Sequence, residues 1–212
     1  DFENTLRAYS INDGKELWNI KTGDTFIKSE KKLSIVIINN IVYFNNSIGD
    51  ISAVDIESGN LLWQTPTQNS TIYQDSFSLK TSDLITDGKS IVFSNNKNEF
   101  YSIDAKSGFL KWKQKINSNL TSTMVNQLIF TISNEGYFVV IDDKTGNMIR
   151  VTDVFSQFKK RRLKINPVGF FVGKQNIYLT TNHGRLLVID ISSGKTKKVL
   201  KIDNEKISRP FI

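Results

Sequence analysis

The stretch Ile51–Trp63, ISAVDIESGNLLW, decides the fold. Its first four residues alternate as a strand does and end on Asp55, a carboxylate placed to accept hydrogen bonds from the N–H groups of a following turn. Four residues later Gly59 supplies a left-handed backbone conformation at little cost and closes a short hairpin loop with a bulge. Trp63 stands four positions further on, a large flat surface suited to packing between adjacent sheets.

The same pattern recurs without a gap at Leu6–Trp18 (LRAYSINDGKELW), Phe100–Trp112 (FYSIDAKSGFLKW), Phe138–Arg150 (FVVIDDKTGNMIR) and Leu186–Lys198 (LLVIDISSGKTKK). Its glycines, Gly14, Gly59, Gly108, Gly146 and Gly194, are spaced by 45, 49, 38 and 48 residues, the length of one four-stranded unit. Asp104, Asp142 and Asp190 repeat the role of Asp55, and Ser10 replaces it in the first copy. Before each complete motif lies a β-rich run: Ile41 to Phe44, Ile91 to Phe93, Leu128 to Thr131 and Ile177 to Leu179. Polar tips follow these runs, around Asn45 to Asp50, Asn95 to Asn98, Ser133 to Gly136 and Thr181 to Gly184. A further apolar segment lies upstream in each unit: Leu33 to Ile38, Ser82 to Thr86, Thr121 to Val125 and Val168 to Val172. Four hairpin-linked strands per unit predict an all-β propeller of antiparallel blades, with a solenoid of strands as the competing architecture.

Composition agrees. The chain of 212 residues has only 3 Pro and no Cys, so neither disulfides nor thiolate metal sites hold it together. No stretch approaches the ~18 consecutive apolar residues of a membrane-spanning helix. The opening Asp1-Phe2-Glu3-Asn4 lacks signal-peptide architecture, which fits a leader either removed or never present. An excess of Lys and Arg gives a formal charge of +7, a balance suited to an acidic protein surface, an anionic lipid or a nucleic acid. Much of that excess is lysine scattered through turns, where the simplest reading is a solvated face.

The pattern carried by Ala53, Asp55, Ser58, Gly59 and Trp63 resembles the quinoprotein (PQQ-like) β-propeller repeat. That resemblance extends over nearly the whole chain and implies approximate units at 1–22 (partial blade), 23–67, 68–116, 117–153, 154–203 (with a basic inter-blade insertion) and 204–212 (the start of another blade). About four complete blades and two partial ones make a single propeller segment. The family's usual seven or eight blades would need further sequence, or association with another segment, to close a ring.

Similar repeats build both quinone-dependent dehydrogenases and the lipoprotein of the outer-membrane β-barrel assembly machinery. The second comparison implies a non-catalytic scaffold of the bacterial envelope, periplasmic at the inner face of the outer membrane, that assists β-barrel assembly. Protein partners follow from it, the barrel-assembly subunit among them, with membrane association through a lipid anchor absent from this sequence. The alternatives are a dehydrogenase fragment and a propeller that binds anionic lipid or nucleic acid. Against an enzyme, the only His, His183, sits in a hairpin tip, and no Ser-His-Asp or Cys-His set can be assembled. The dehydrogenases' vicinal cysteine pair has no counterpart, and the repeated aspartates would spread around a ring instead of converging on one calcium. No catalytic, cofactor or metal residue is therefore expected.

The candidate partner-binding segment is Lys159, Lys160, Arg161, Arg162, Leu163 and Lys164, whose five cations in six residues suit contact with phosphates or an acidic partner. It contains no interleaved aromatic platform. The preceding Val154 to Phe158 (VFSQF) has an amphipathic character suited to a short helical turn or a docking loop. By resemblance, Arg162, Leu163 and Lys164 are similar in placement and chemistry to the inter-blade loops with which the assembly lipoprotein contacts its partner. A solvated basic loop is the plainer alternative. The sequons at Asn45, Asn69 and Asn119 would permit glycosylation in a eukaryotic lumenal propeller, and in an Asn-rich chain chance explains them.

Overall fold

The computed structural model describes residues 3–23, 33–47, 49–67, 80–158 and 164–210. A first hairpin pairs β1 (Thr5–Tyr9) with β2 (Glu16–Lys21). The second sheet is β3 (Ile35–Ile38), β4 (Ile41–Asn45), β5 (Ile51–Asp55) and β6 (Leu61–Thr65). The third is β7 (Ile85–Thr86), β8 (Ser90–Asn95), β9 (Glu99–Asp104) and β10 (Leu110–Gln114). The fourth is β11 (Thr123–Val125), β12 (Leu128–Ile132), β13 (Tyr137–Asp142) and β14 (Met148–Asp153), and the fifth is β15 (Pro167–Val172), β16 (Asn176–Thr181), β17 (Arg185–Asp190) and β18 (Thr196–Lys201). Every neighbouring pair is antiparallel and consecutive in the chain, so these are propeller blades and not the parallel coils of a β-helix.

Each motif turn is built as its residue types dictate. In the second blade Asp55 Oδ1 accepts from the N–H groups of Glu57 (3.2 Å) and Ser58 (2.8 Å) and from the Ser58 hydroxyl (2.7 Å). Asp104 does the same for Ser107, Asp142 for Thr145 and Asp190 for Ser193. The motif glycines have φ between 70° and 75°, and the register of the flanking strands slips by a bulge at each hairpin, for example between Ala53 and Val54. Their second duty is to leave room. A Cβ on Gly108 would lie 2.7 Å from the Trp63 ring, and one on Gly59 or Gly146 would strike Trp18 or Trp112 as closely.

The tryptophan of one blade thus lies on the turn glycine of the next, and its indole N–H closes the joint. Trp18 Nε1 donates to Ile56 O (2.9 Å), Trp63 Nε1 to Ala105 O (3.1 Å) and Trp112 Nε1 to Asp143 O (2.6 Å). Arg150 stands in place of a fourth tryptophan, and its guanidinium donates to the equivalent carbonyl, Ile191 O, at 2.8 Å. A planar donor with an apolar stem serves both purposes at this position.

Between these seams lie four hydrophobic clusters, and they follow chain order. Val42, Phe44 and Val54 pack on Leu6, Trp18 and Ile20 of the first hairpin. A cluster around Tyr43, Ile51, Phe93 and Tyr101 joins the second blade to the third, one around Val92, Phe100, Ile129 and Val139 joins the third to the fourth, and Phe130, Phe138, Phe170 and Leu187 anchor the fourth to the fifth. No cluster among the described residues joins the first hairpin to the fifth blade, so the blades form an open arc. After β18 the chain returns across that blade, with Arg209 packed over Gly169 and donating from Nε to Phe170 O (3.3 Å).

In the second, third and fourth blades the first strand is shorter than the apolar run suggests, whereas β15 spans the whole of its run. β7 has only two residues because Ser82 draws the ladder into its side chain: the Ser94 N–H bonds Ser82 Oγ (3.0 Å), and the Leu84 N–H reaches Ser34 Oγ of the preceding blade (2.8 Å).

Candidate partner-binding site

The basic segment leaves the fourth blade just after β14. Asp153 Oδ1 accepts the Phe155 N–H (2.9 Å), which turns the chain inward, and Phe155 becomes fully buried over Gly136. Gly136 is obligatory there, having φ +83° and a would-be Cβ 2.1 Å from the Phe155 ring. A 3₁₀ turn over 156–158 follows, so the amphipathic run ends as a short helical turn. It presents Phe158, edge-on to Phe155 with ring centroids 5.9 Å apart, beneath the Arg185 guanidinium at 5.8 Å from the ring centre.

Of the predicted site residues, Lys159, Lys160, Arg161, Arg162 and Leu163 lie outside the described residues. Lys164 is described and exposed. Its carbonyl accepts from Asn182 Nδ2 (3.1 Å) and from His183 Nε2 (3.0 Å), which fixes the proton on that ring nitrogen. Asn182 also accepts the Asn166 N–H at its Oδ1 (2.8 Å) while its own N–H bonds Asn166 O (3.1 Å), and Ile165 between them is buried in the cluster shared by the fourth and fifth blades. Both ends of the basic segment are therefore fastened to the β16–β17 hairpin, by Phe158 against Arg185 and by Lys164 against Asn182 and His183. Sequence reasoning found the segment and missed this platform, although an Asn at a hairpin tip is its one local signal.

Elsewhere the polar groups serve architecture. Hydrogen bonds from Ser58 hold the Asp55 carboxyl below its ordinary range, and those from Ser107 and Thr145 do so for Asp104 and Asp142. Asp190 is lowered furthest, chiefly by Lys197. Each carboxylate is occupied by its own turn, on its own blade. That donor set does not fit a quinone and its calcium, which need several oxygen ligands converging on one point. Asn45 of the first sequon is buried, with Oδ1 accepting the Ser34 N–H (2.8 Å) and Nδ2 donating to Thr81 (3.0 Å), so its amide is unavailable for a glycan. Among the described residues, no helix is long and apolar enough to cross a membrane.

Comparison with known proteins points the same way. The family model described as "Outer membrane protein assembly factor BamB" matches residues 2–152. The outer membrane protein assembly factor BamB of Legionella pneumophila (strain Paris) is 20% identical over 196 residues, 88% of this chain and 46% of that protein. The BamB of Moranella endobia (strain PCIT) is 24% identical over 168 residues, 71% of this chain and 40% of that protein. The chain spans less than half the length of these two curated relatives. In three dimensions, BamB from Moraxella catarrhalis matches with a TM-score of 0.68 over 93% of this chain and 55% of that one, at 15% identity, a likeness of fold.

Proposed function

The chain belongs to the family of outer membrane protein assembly factor BamB, and from that premise we propose that it is a non-catalytic, protein-binding scaffold that assists assembly of outer-membrane β-barrel proteins. Its place is the periplasm, at the inner face of the outer membrane, and its partner is the barrel-assembly subunit. The observation that carries this reading is the family match over residues 2–152, from the first hairpin through the fourth blade. The engaged turn carboxylates support a scaffold over a dehydrogenase fragment.

Contact is made through Lys159, Lys160, Arg161, Arg162, Leu163 and Lys164. What supports that choice is the platform: fixing both ends of a loop lowers the ordering cost of binding, and a cluster of cations speeds encounter with an acidic surface. The dense positive charge also suits anionic lipid, so the test has two arms. Tagged chain is incubated with detergent-solubilised outer-membrane extract and, separately, with vesicles of phosphatidylglycerol. Specific recovery of the barrel-assembly subunit supports the scaffold; recovery on vesicles with no protein partner contradicts it.

A further inference from the structure

The five motif copies act as internal controls for one another, and one seam departs from the rest. Where the second blade meets the third, three equivalent positions are Ile41, Ala105 and the half-exposed Leu62; where the fourth meets the fifth they are Leu128, Ile191 and the half-exposed Ile149. All six are apolar. Between the third and fourth blades the same positions are Ser90, Lys111 and Asp143. The three polar residues form one connected set: Lys111 Nζ donates to Ser90 Oγ (2.5 Å), the Ser90 hydroxyl donates to Asp143 Oδ2 (3.2 Å), and the ammonium stands 4.0 Å from that oxygen. Ser90 is fully buried and the Asp143 side chain is 11% exposed. Asp143 Oδ1 accepts no hydrogen bond from the protein, and the Asp143 backbone carbonyl takes the Trp112 indole N–H (2.6 Å).

A stabilising purpose is a poor account of this set. Burying an incompletely bonded carboxylate costs more than an apolar residue in the same place, and sister seams show which apolar residues fit. Removing the cation alone is worse still, because it strands the buried carboxylate.

We propose that Ser90, Lys111 and Asp143 are a registry lock that makes the third blade stack on the fourth and on no other. Blades of one repeat bury similar faces, so a chain of them can mis-stack or exchange blades between molecules while folding. Stacking the third blade against the turn of the second or fifth would set Ser90 and Lys111 on Ile56 or Ile191. Stacking the fourth blade's turn on the second would set Asp143 on Ile41 and Leu62, a buried carboxylate with no cation. Only the native order brings Lys111 to Asp143; the fifth blade's Lys197, at the position of Lys111, is engaged by Asp190 and Asn176 of its own blade. The seam gives up stability for discrimination, as a polar residue does at a coiled-coil interface.

The test takes its substitutions from the sister seam. The triple variant Ser90→Ile/Lys111→Leu/Asp143→Ala and the single Lys111→Leu are compared with the parent chain, by urea denaturation and by the monomer fraction recovered on refolding at micromolar concentration. The lock predicts a lower urea midpoint for Lys111→Leu, which strands Asp143. For the triple it predicts a midpoint equal to or above the parent's, together with a loss of refolded monomer to oligomers. A triple variant that refolds to the parent's monomer fraction overturns the proposal. So does one whose midpoint lies below the parent's, since the set would then be an ordinary stabilising network.

Discussion

Aspartate plays two opposed roles in this chain, and the difference lies in what each carboxylate touches. Asp55, Asp104 and Asp142 receive hydrogen bonds from their own turns and are held below the ordinary range. Their contribution to stability is present above the unfolded value of about 3.9 and is lost as pH falls through the lower folded value. Asp143 is raised, first by burial and then by the nearby charges of Asp87 and Asp142, against the opposing pull of Lys111 and the Ser90 hydroxyl. Its contribution is full in acid below about 3.9 and is lost as pH rises through the raised folded value. Asp143→Asn is therefore expected to raise the urea midpoint at pH 7 by an amount that shrinks towards pH 3, whereas Asp104→Asn lowers the midpoint at pH 7, with a stability loss of about 1 kcal/mol for the turn hydrogen bonds lost. Midpoints of the two variants against pH check this, and slopes of the same sign would contradict it. The turn role of Asp55 was legible in the sequence from its spacing to Gly59; the burial of Asp143 was not, because the residue after the motif aspartate is read as outward-facing until its neighbour's Lys111 is seen to cover it.

At the scale of strands and turns, sequence pattern fixes what is periodic and misses what is traded between blades. The third and fourth strands of each blade could be read from the motif, since alternation, aspartate, glycine and tryptophan each do a local job. First strands could be read only in part: β15 spans its apolar run, whereas β7 is cut short by Ser82 and by a bond to Ser34, a residue distant in sequence and adjacent in space. The motif glycine was readable as a turn residue, while its role as the floor beneath the preceding tryptophan needed the stacked blades. That second role yields a prediction. Gly108→Ala must accommodate φ +75° and a Cβ 2.7 Å from the Trp63 ring, so it is expected to cost roughly 2–4 kcal/mol, well above the strain of a left-handed alanine alone. Gly14→Ala, with φ +70° and open space around it, isolates that strain. Thermal or urea unfolding of the pair reads the difference, and equal losses would show that the tryptophan imposes nothing.

Across the whole molecule, the blades form an open arc of similar seams, and the features that break the repeat are few. One is the polar seam between the third and fourth blades. Another is the basic segment, whose flanking residues Phe158 and Lys164 are both held by the fifth blade through Arg185, Asn182 and His183. Repetition explains why fold was so much easier to read than function. Five copies of a motif average out chance, whereas Lys159 to Lys164 occur once and have no internal control. The central claim, a BamB-family scaffold that captures its partner through that segment, is tested most directly by the affinity of the purified chain for the purified barrel-assembly subunit. The comparison is with the variant Lys160→Glu/Arg161→Glu/Arg162→Glu at physiological salt. The account predicts a weakening of at least about tenfold, through charge repulsion at a contact surface, with the urea midpoint unchanged. An affinity equal to the parent's would remove these residues from the interface and contradict it.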